Sequence, residues 1–464
     1  LTCLTLLALL AAAPTAAGDE SYSFVRVLEG SATIAPAGGA TAETAEINLP
    51  LLTGDRLDVS ADSRVELVLA DRNRLRLDGA SALVLTAIAF SDDATDRVTR
   101  LQLLGGRLQL SVGDAALGDE LPRIDLSNAT VYVQDVASLA IESDGEGWSE
   151  VVVRTGRVEV LTGRGSTLVR AGESARITGT ASAAVRLGVA PPADAFERWA
   201  SAQEADSAVR TAAYVDPGLA YSSNSLEDNG SWVYAEDSWA WRPRVGVDWR
   251  PYWNGRWYPT PSGLTWVSSE PWGWVPYHYG TWDLAPGYGW VWYPGRTYSP
   301  AWVYWYWGDR WAGWCPTGYY TRHYRRAGGW HHGFRAGLYG SIGGDFGLYS
   351  HWNFGPSDRG LPRGILTTDT RGLDPGQLRN GRDPRTLLRN PGDRPVGAID
   401  RLPDMTEFIA RKPELSPEVG RRVMVEKPAG GLEDGDARRI TGVAEGRPPA
   451  NEVGGARRER PGEG

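Results

Sequence analysis

The spacing of tryptophan constrains the fold of this chain more than any other feature. Seventeen of its twenty-one tryptophans lie between Trp232 and Trp314. Seven of them form a ladder with steps of 8, 8, 9, 8, 8 and 8 residues: Trp241, Trp249, Trp257, Trp266, Trp274, Trp282 and Trp290. Within the ladder, Trp249-Arg-Pro-Tyr-Trp-Asn-Gly-Arg-Trp257 recurs 25 residues later as Trp274-Val-Pro-Tyr-His-Tyr-Gly-Thr-Trp282. This recurrence predicts an internally repeated β module built on aromatic side chains.

The ladder tryptophans are predicted to be structural. A step of eight residues keeps the phase of a period-2 strand, so these rings are expected to line one face of a small sheet. The single step of nine, from Trp257 to Trp266, breaks the phase and requires a turn or bulge, which Pro259, Pro261 and Gly263 can supply. Trp274 and Trp282 occupy equivalent repeat positions, and both are expected to be buried.

The remaining aromatic rings are the candidates for ligand binding. Three roles are open for the aromatic side chains: a packed core, a surface that stacks on glycans, or a belt at a membrane interface. A module of this size cannot bury seventeen indoles, so the off-ladder rings are expected to be exposed and to form a binding patch. The candidates are Trp253, Trp272, Trp292, Trp305 and Trp307.

The segment before the ladder reads as short strands. Between residues 22 and 187, runs that alternate Leu or Val with charged residues are separated by Gly and Asp turns, as at Arg64-Val-Glu-Leu-Val-Leu69. Such a pattern is typical of an all-β sandwich, jelly roll or roll. The predicted fold class is therefore all-β.

Three strings in this segment carry a family resemblance. They are Pro50-Leu-Leu-Thr-Gly-Asp-Arg-Leu57, Leu103-Leu-Gly-Gly-Arg-Leu108 and Val153-Arg-Thr-Gly-Arg-Val-Glu-Val160. In this order, the segment resembles a FecR-type extracytoplasmic domain over residues 24–178. It departs from that pattern at Val136-Ala-Ser-Leu139, where a Gly-Thr step is often found. Classical FecR sensors also have a cytosolic tail and a membrane helix before this domain. The chain shows neither, so we expect no direct contact with a sigma factor.

The tryptophan-rich segment carries a second resemblance. The strings Asp194-Ala-Phe-Glu-Arg-Trp199 and Glu270-Pro-Trp-Gly-Trp-Val-Pro-Tyr-His-Tyr-Gly280 resemble a domain of unknown function that commonly follows FecR-type domains in exported bacterial proteins. That family has no settled activity to transfer. The Ala-rich run that begins at Ala193 predicts a linking helix with Asp194 near its N-terminus.

The ends of the chain differ in character from its middle. The apolar run Leu1 to Ala13 followed by small residues predicts a signal peptide cleaved near Ala17 or Gly18, and thus export to the periplasm or cell surface. The sequence predicts five segments: a signal peptide at 1–18, a FecR-like β domain at 22–187, a linking helix at 193–212, a Trp-rich repeat module at 214–320, and a mostly disordered tail rich in Gly, Arg and Pro at 321–464.

The sequence contains no recognised catalytic motif and predicts no cofactor. Cys315, between Trp314 and Pro316, is expected to be a buried structural thiol rather than a nucleophile. The histidines His323, His331, His332 and His351 fit no metal-ligand spacing, so no metal site is predicted. The net charge of −9 argues against a nucleic-acid partner.

These observations predict an exported, non-enzymatic, mostly β envelope protein. The leading hypothesis is binding or scaffolding, with peptidoglycan or another polysaccharide as the ligand. The alternative is a FecR-like extracytoplasmic signalling accessory that binds a protein partner without direct sigma-factor contact. Retention on insoluble glycan separates the two, because only the first hypothesis predicts it.

Overall fold

The computed structural model describes residues 21–37, 41–89, 98–113, 120–206, 214–216, 219, 225–236, 238–246, 249–307, 311–319 and 353–356. The chain divides into two compact units that are interleaved along the sequence. Unit 1 combines residues up to 227 with 254–279 and 295–301, and unit 2 combines 228–253, 280–294 and the residues from 302 onward. Each unit is considered by itself.

Unit 1 is built mainly of short strands. In chain order they are β1 (Ser23–Glu29), β2 (Ala32–Ala35), β3 (Glu43–Thr44), β4 (Pro50–Leu51), β5 (Arg56–Val59), β6 (Arg64–Val68), β7 (Arg74–Leu77), β8 (Ala82–Ile88), β9 (Thr99–Val112), β10 (Arg123–Asp125), β11 (Thr130–Val133), β12 (Ala137–Ser143), β13 (Trp148–Thr155), β14 (Arg157–Thr162), β15 (Gly165–Arg170), β16 (Glu173–Thr178) and β17 (Ala184–Val189).

These strands form two sheets that share one long strand. The first sheet has the order β4-β1-β6-β7-β9-β12-β13-β16-β17. The second has the order β3-β2-β5-β8-β9-β10-β11-β14-β15. The N-terminal half of β9 pairs in the second sheet and its C-terminal half in the first, on either side of Gly105-Gly106. Gly106 has φ +93°, and a Cβ there would lie 2.4 Å from Ser81 Cα, so the change of sheet requires glycine at this point.

The inward faces of the two sheets enclose one aliphatic core. Leu67, Leu110 and Val153 contribute from the first sheet, and Leu83 and Val160 from the second. All five are fully buried, since alternate positions along each strand point inward. The predicted all-β class is confirmed, with a sandwich as the architecture of this part of the chain.

A helix lies against the outer face of the first sheet. Helix α1 (Ala195–Asp206) begins after Asp194, whose carboxylate accepts from the backbone N–H of Glu197 at 3.0 Å. Its Glu197 makes a two-point ion pair with Arg154 of β13 at 2.8 and 2.6 Å. Its Glu204 accepts from Arg76 of β7 at 2.7 Å. The sequence predicts the linking helix over 193–212; the described helix covers Ala195–Asp206 and is held by charged pairs, and residues 207–212 lie outside the described residues.

The charged side chains beneath this helix form a buried network. Glu66 and Arg76 are both fully buried, and Glu66 accepts from Arg76 at 2.9 Å and from Arg26 at 2.5 Å. Burial acts to raise the pKa of the Glu66 carboxyl. The charges and hydrogen bonds of Arg26 and Arg76 outweigh that effect and hold this pKa below its usual value.

Unit 1 also contains part of the tryptophan-rich segment. Helix α2 (Ser225–Asn229) precedes strands β18 (Gly230–Ala235) and β19 (Ser238–Pro243), which belong to unit 2. Strands β20 (Gly255–Thr260) and β21 (Gly263–Ser268) then form a hairpin in unit 1, with helix α3 (Trp274–His278) after them. Tyr258 and Val267 of the hairpin belong to the same core cluster as the sandwich. Phe24 of β1 stacks on Trp274, with 4.2 Å between ring centroids and 6° between planes.

Unit 2 contains two further sheets. Strands β22 (Tyr279–Ala285) and β23 (Gly289–Tyr298) complete a four-stranded sheet of order β18-β19-β23-β22. Strands β24 (Val303–Trp307), β25 (Trp311–Pro316) and β26 (Asn353–Pro356) form a three-stranded sheet. β26 lies inside the segment predicted to be mostly disordered. It is fixed by Asn353, which is fully buried and donates to the carbonyl of Pro251 at 2.9 Å.

The remaining boundary predictions stay predictions. The signal peptide and nearly all of the tail lie outside the described residues. Among the residues that are described, no helix has the length and apolar content needed to cross a membrane.

Candidate binding surfaces

The ladder tryptophans do not line one face of a single sheet, so that expectation is wrong. A step of eight keeps its phase only within an uninterrupted strand, and the chain turns between consecutive ladder positions. Trp257 and Trp266 face each other across the β20-β21 hairpin, and Trp274 begins helix α3. Six ladder rings are nevertheless buried, and Trp249 is half-buried. Trp274 and Trp282, expected to be buried, are 3% and 1% exposed, which confirms that expectation.

The off-ladder rings do not form one exposed patch in the described part of the chain. Trp292 is fully buried, and Trp272 is 5% exposed and stacks on Tyr277, so the expectation that both are exposed is wrong. Trp253 is half-buried, and the Arg250 guanidinium lies 3.8 Å from its ring centroid. The side chains of Trp305 and Trp307 lie outside the described residues. Ligand binding by these five residues stays a prediction.

In the part of unit 2 that the structure describes, two exposed aromatic side chains lie together near the tip of the β18-β19 hairpin. Tyr234 and Trp239 are directly opposite each other across the two strands. They are 57% and 47% exposed, and both are large aromatic side chains in contact with solvent. Their rings are 5.6 Å apart and inclined at 78°. We call these two residues the aromatic pair.

The alternation of side chains along the two strands explains why the aromatic pair is exposed. Trp232 and Trp241 share its face of the hairpin, two residues closer to the base. Trp241 is fully buried and Trp232 half-buried, and the buried Trp292 of β23 is the partner of Trp241. The aromatic face is therefore covered at the base and open at the tip.

The opposite face of the same sheet is small and apolar. Ala235, Ala240 and Val291 pack there with Tyr293 into a separate core cluster. Trp241 needs close approach at Gly230, where a Cβ would lie 2.4 Å from Cε2 of the indole. One face of the hairpin is thus packed into the core, and the base of the other face is filled by indoles. This gives the aromatic pair a pre-organised support.

The titratable side chains of the described residues are considered next. They bring together no group of three or more His, Cys, Asp or Glu side chains that could hold a metal ion. Cys315 is fully buried, which confirms the expected burial of this thiol. The imidazole of His278 is also fully buried, and Nδ1 donates to the carbonyl of Ser299 at 3.0 Å. Desolvation lowers the pKa of His278 to about 4, although backbone hydrogen bonds act in the opposite direction.

Unit 1 has a polar cavity of about 490 Å³ at one end of the sandwich. Glu29, Asp62, Arg64 and Asp78 contribute its charged lining. Three of these are engaged with neighbours. Glu29 accepts from the Trp199 indole at 2.9 Å, and Arg64 donates to Asp78 at 3.1 Å. The lining of the cavity is thus stabilised by the Arg64–Asp78 ion pair and by the hydrogen bond from Trp199 of helix α1 to Glu29.

The sequence could have pointed to the aromatic pair through spacing. In a hairpin with a two-residue loop, directly opposed positions are always separated by an odd number, and Tyr234 and Trp239 are five apart. Only the structure shows that these two side chains are about half exposed, because exposure depends on where the other strands end.

Two protein families match parts of the chain. The family described as FecR protein matches residues 55–159, and a family of unknown function, DUF6600, matches residues 223–321. No curated protein matches the chain. Two crystal structures of a protein described as a candidate anti-sigma factor from Parabacteroides distasonis are similar in part. One is 18% identical over 32% of this chain and 64% of its own, with a TM-score of 0.26. The other is 16% identical over 29% and 59%, with a TM-score of 0.25. The aligned part is less than two thirds of each structure's length, and at these scores neither informs the function of this chain.

Proposed function

We propose that this FecR-type protein, which carries a C-terminal domain of unknown function, is a non-enzymatic accessory protein of the cell envelope that binds a protein partner. The observation that carries the proposal is the exposed aromatic pair on a rigid hairpin. Tyrosine and tryptophan are enriched among the residues that dominate protein interfaces, because each supplies a large contact area at a small entropic cost. A signalling role follows from the FecR match as a hypothesis about what the partner does.

The geometry of the pair favours a protein over a flat glycan. Rings inclined at 78° cannot both stack on the same sugar face, whereas a protein pocket can enclose one ring and contact the edge of the other. A polysaccharide ligand is the second candidate, supported by the 47% exposure of Trp239, because an exposed indole can stack on a sugar.

Two experiments at position 239 distinguish a protein partner from a polysaccharide ligand. A photo-cross-linking amino acid replaces Trp239 in the full chain, expressed in bacterial cells, and the matched control carries it at Val245, which is 40% exposed in the same unit. We expect a discrete protein adduct from position 239 and little from position 245. In parallel, the purified chain and its Trp239→Ala variant are co-sedimented with peptidoglycan.

Retention on peptidoglycan that Trp239→Ala abolishes, with no protein adduct, contradicts the first candidate and supports the second. Alanine at Trp239 or Tyr234 is expected to weaken partner binding by about 2 kcal/mol, roughly 30-fold. The fold is expected to tolerate both changes, because the two side chains are half-exposed.

A further inference from the structure

Strand β17 is a long edge of the first sheet. It pairs along its whole length with β16, and no other described strand is in register with it. The edges at the opposite ends of the two sheets, β4 and β3, are only two residues long. Short edges are one way in which proteins prevent unwanted pairing. β17 has six residues, contains no proline and shows no bulge in its register with β16.

The backbone of β17 presents a regular set of hydrogen-bonding groups on its outer edge. Ala190 N–H donates to the Gly172 carbonyl at 2.9 Å, so Ala190 and Gly172 form a hydrogen-bonded pair. Hydrogen-bonded and non-hydrogen-bonded pairs alternate along an antiparallel ladder. The register therefore directs the N–H and C=O groups of Val185 and Leu187 and the N–H of Val189 away from β16, whereas the Val189 carbonyl accepts from Ser174 Oγ at 3.4 Å.

The side chains of these three residues form an apolar row. Their partners on β16 include Ile177 and Ala175, which are fully buried in the sandwich core. Val185, opposite Ile177, is half-buried against that core. Leu187 is 47% exposed and Val189 87% exposed, so the row extends from the core into solvent. An apolar row beside the outward backbone groups of Val185 and Leu187 is suited to receive another strand.

The outer face of the same edge is basic. Arg186 points to this face and is opposite Arg176 on β16. Arg176 already donates to Glu150 at 3.3 Å, whereas Arg186 has no acidic partner among the described residues. A strand added to β17 would place one side chain beside Arg186 on this face. A carboxylate there gains a favourable cross-strand interaction.

We propose that β17 is a second interface, at which an extended segment of a protein partner adds to the sheet. The segment that fits alternates apolar residues, which extend the row of Val185, Leu187 and Val189, with acidic residues beside Arg186. Backbone hydrogen bonds supply the affinity of such an arrangement, and the alternating side chains supply the specificity. This inference goes beyond the proposed function, because it concerns unit 1 and residues other than the aromatic pair.

The test uses the full chain and two fluorescently labelled synthetic peptides of equal length. In one peptide valine alternates with glutamate, and in the other valine alternates with lysine. We expect fluorescence anisotropy to show preferential binding of the glutamate peptide. Arg186→Glu should reverse that preference, weakening the glutamate peptide and strengthening the lysine peptide by roughly tenfold each.

A proline variant tests the backbone contribution. Leu187→Pro removes an N–H that points to solvent, and proline is tolerated at such edge positions. It should weaken peptide binding by about tenfold or more. Leu168→Pro is the matched control: Ala171 N–H donates to Gly156 at 3.0 Å, so the register also directs the Leu168 N–H outward at the β15 edge. This control should bind the peptide normally.

Several results would overturn the proposal. One is equal binding of both peptides with no effect of either change at β17. Another is a doubling of the mass in light scattering that Leu187→Pro abolishes, which would assign β17 to a second copy of this chain. If circular dichroism shows that Leu187→Pro does not fold, the peptide preference of Arg186→Glu still tests the proposal. None of these results bears on Trp239, so failure here leaves the proposed function standing.

Discussion

His278 is the residue whose burial has the clearest consequence for stability. Its folded-state pKa of about 4 lies below the ordinary histidine value of 6.5. Between these two pH values the unfolded chain binds a proton at this residue that the folded chain does not. Stability at this site is therefore complete above pH 6.5 and falls as the pH decreases towards 4. The shift corresponds to about 3 kcal/mol.

We expect His278→Asn to flatten this pH dependence. The asparagine amide can donate to the Ser299 carbonyl as Nδ1 does, and it does not titrate. Urea unfolding at pH 7, 6 and 5 measures the effect. The free energy of unfolding should decrease more steeply with falling pH for the natural chain than for the variant. Parallel curves would show that His278 is not the group responsible.

Trp274 is a residue-scale test of aromatic packing in unit 1. Its ring stacks on Phe24 and also contacts His278, with 4.4 Å between ring centroids. Trp274→Ala is expected to cost about 3–5 kcal/mol, the usual range for a buried aromatic side chain. A double-mutant cycle with Phe24→Ala should give a coupling of about 1 kcal/mol. Additive effects in denaturant melts would contradict direct stacking.

Hairpins are the elements that explain the tryptophan spacing. Trp232 and Trp241, Trp257 and Trp266, and Trp305 and Trp314 are each nine residues apart and each directly opposed across two strands. The sequence predicted a turn between Trp257 and Trp266, and the hairpin confirms it. The steps of eight were misleading, because they connect residues of different elements. A step of eight keeps the phase of a single strand, whereas the tryptophans that pair across two strands are nine residues apart. Sequence alone could not tell which tryptophans share a strand, and so which spacing reflected pairing.

Gly255 is expected to be essential for the β20-β21 hairpin. A Cβ at this position would lie 2.2 Å from the Val267 carbonyl oxygen and 2.8 Å from Cζ2 of Trp266. Relief of these contacts requires the strands to separate, so Gly255→Ala should destabilise the fold by about 1–3 kcal/mol. Gly113→Ala is the control, because a Cβ there has no neighbour within 4 Å. Thermal unfolding that fails to distinguish the two variants would contradict this account.

The presence of helix α1 could be predicted from the sequence, but its position on the first sheet could not. The composition and Asp194 predicted a helix, and a helix is present with Asp194 as its cap. The pairing of Glu197 with Arg154 and of Glu204 with Arg76 joins positions far apart in the chain. Strand alternation placed these arginines on an outward face but gave no reason to expect a helix over them.

At the scale of the whole molecule, the main feature is that distant parts of the chain contact each other within unit 1. Asn48 donates to the carbonyls of Ser268 and Glu270 at 2.9 and 2.8 Å, and Arg256 is paired with Glu46. The sequence showed two kinds of segment with a change of character between them. It could not show that residues 254–279 complete the sandwich unit, because aromatic strands have the same pattern whichever surface they cover.

A chain that ends at residue 206 should therefore be less stable than one that ends at residue 319. It lacks Trp274, Tyr258 and Val267, and so exposes Phe24, which is otherwise 2% exposed. We expect a loss of about 3 kcal/mol, equivalent to a decrease of roughly 10 °C in the melting temperature. Binding of an apolar dye should increase in the shorter chain. Equal melting temperatures would mean that the sandwich is self-sufficient.

Because unit 1 is built from separate parts of the chain, its parts are synthesised at different times. During synthesis, the strands up to β17 leave the ribosome well before residues 254–279 exist. At about 5–20 residues per second, the delay amounts to several seconds. Throughout that interval the surface that Trp274 and Tyr258 later cover is exposed, and we expect chaperones to bind it. Unit 1 therefore cannot complete its packing until residues 254–279 have been synthesised.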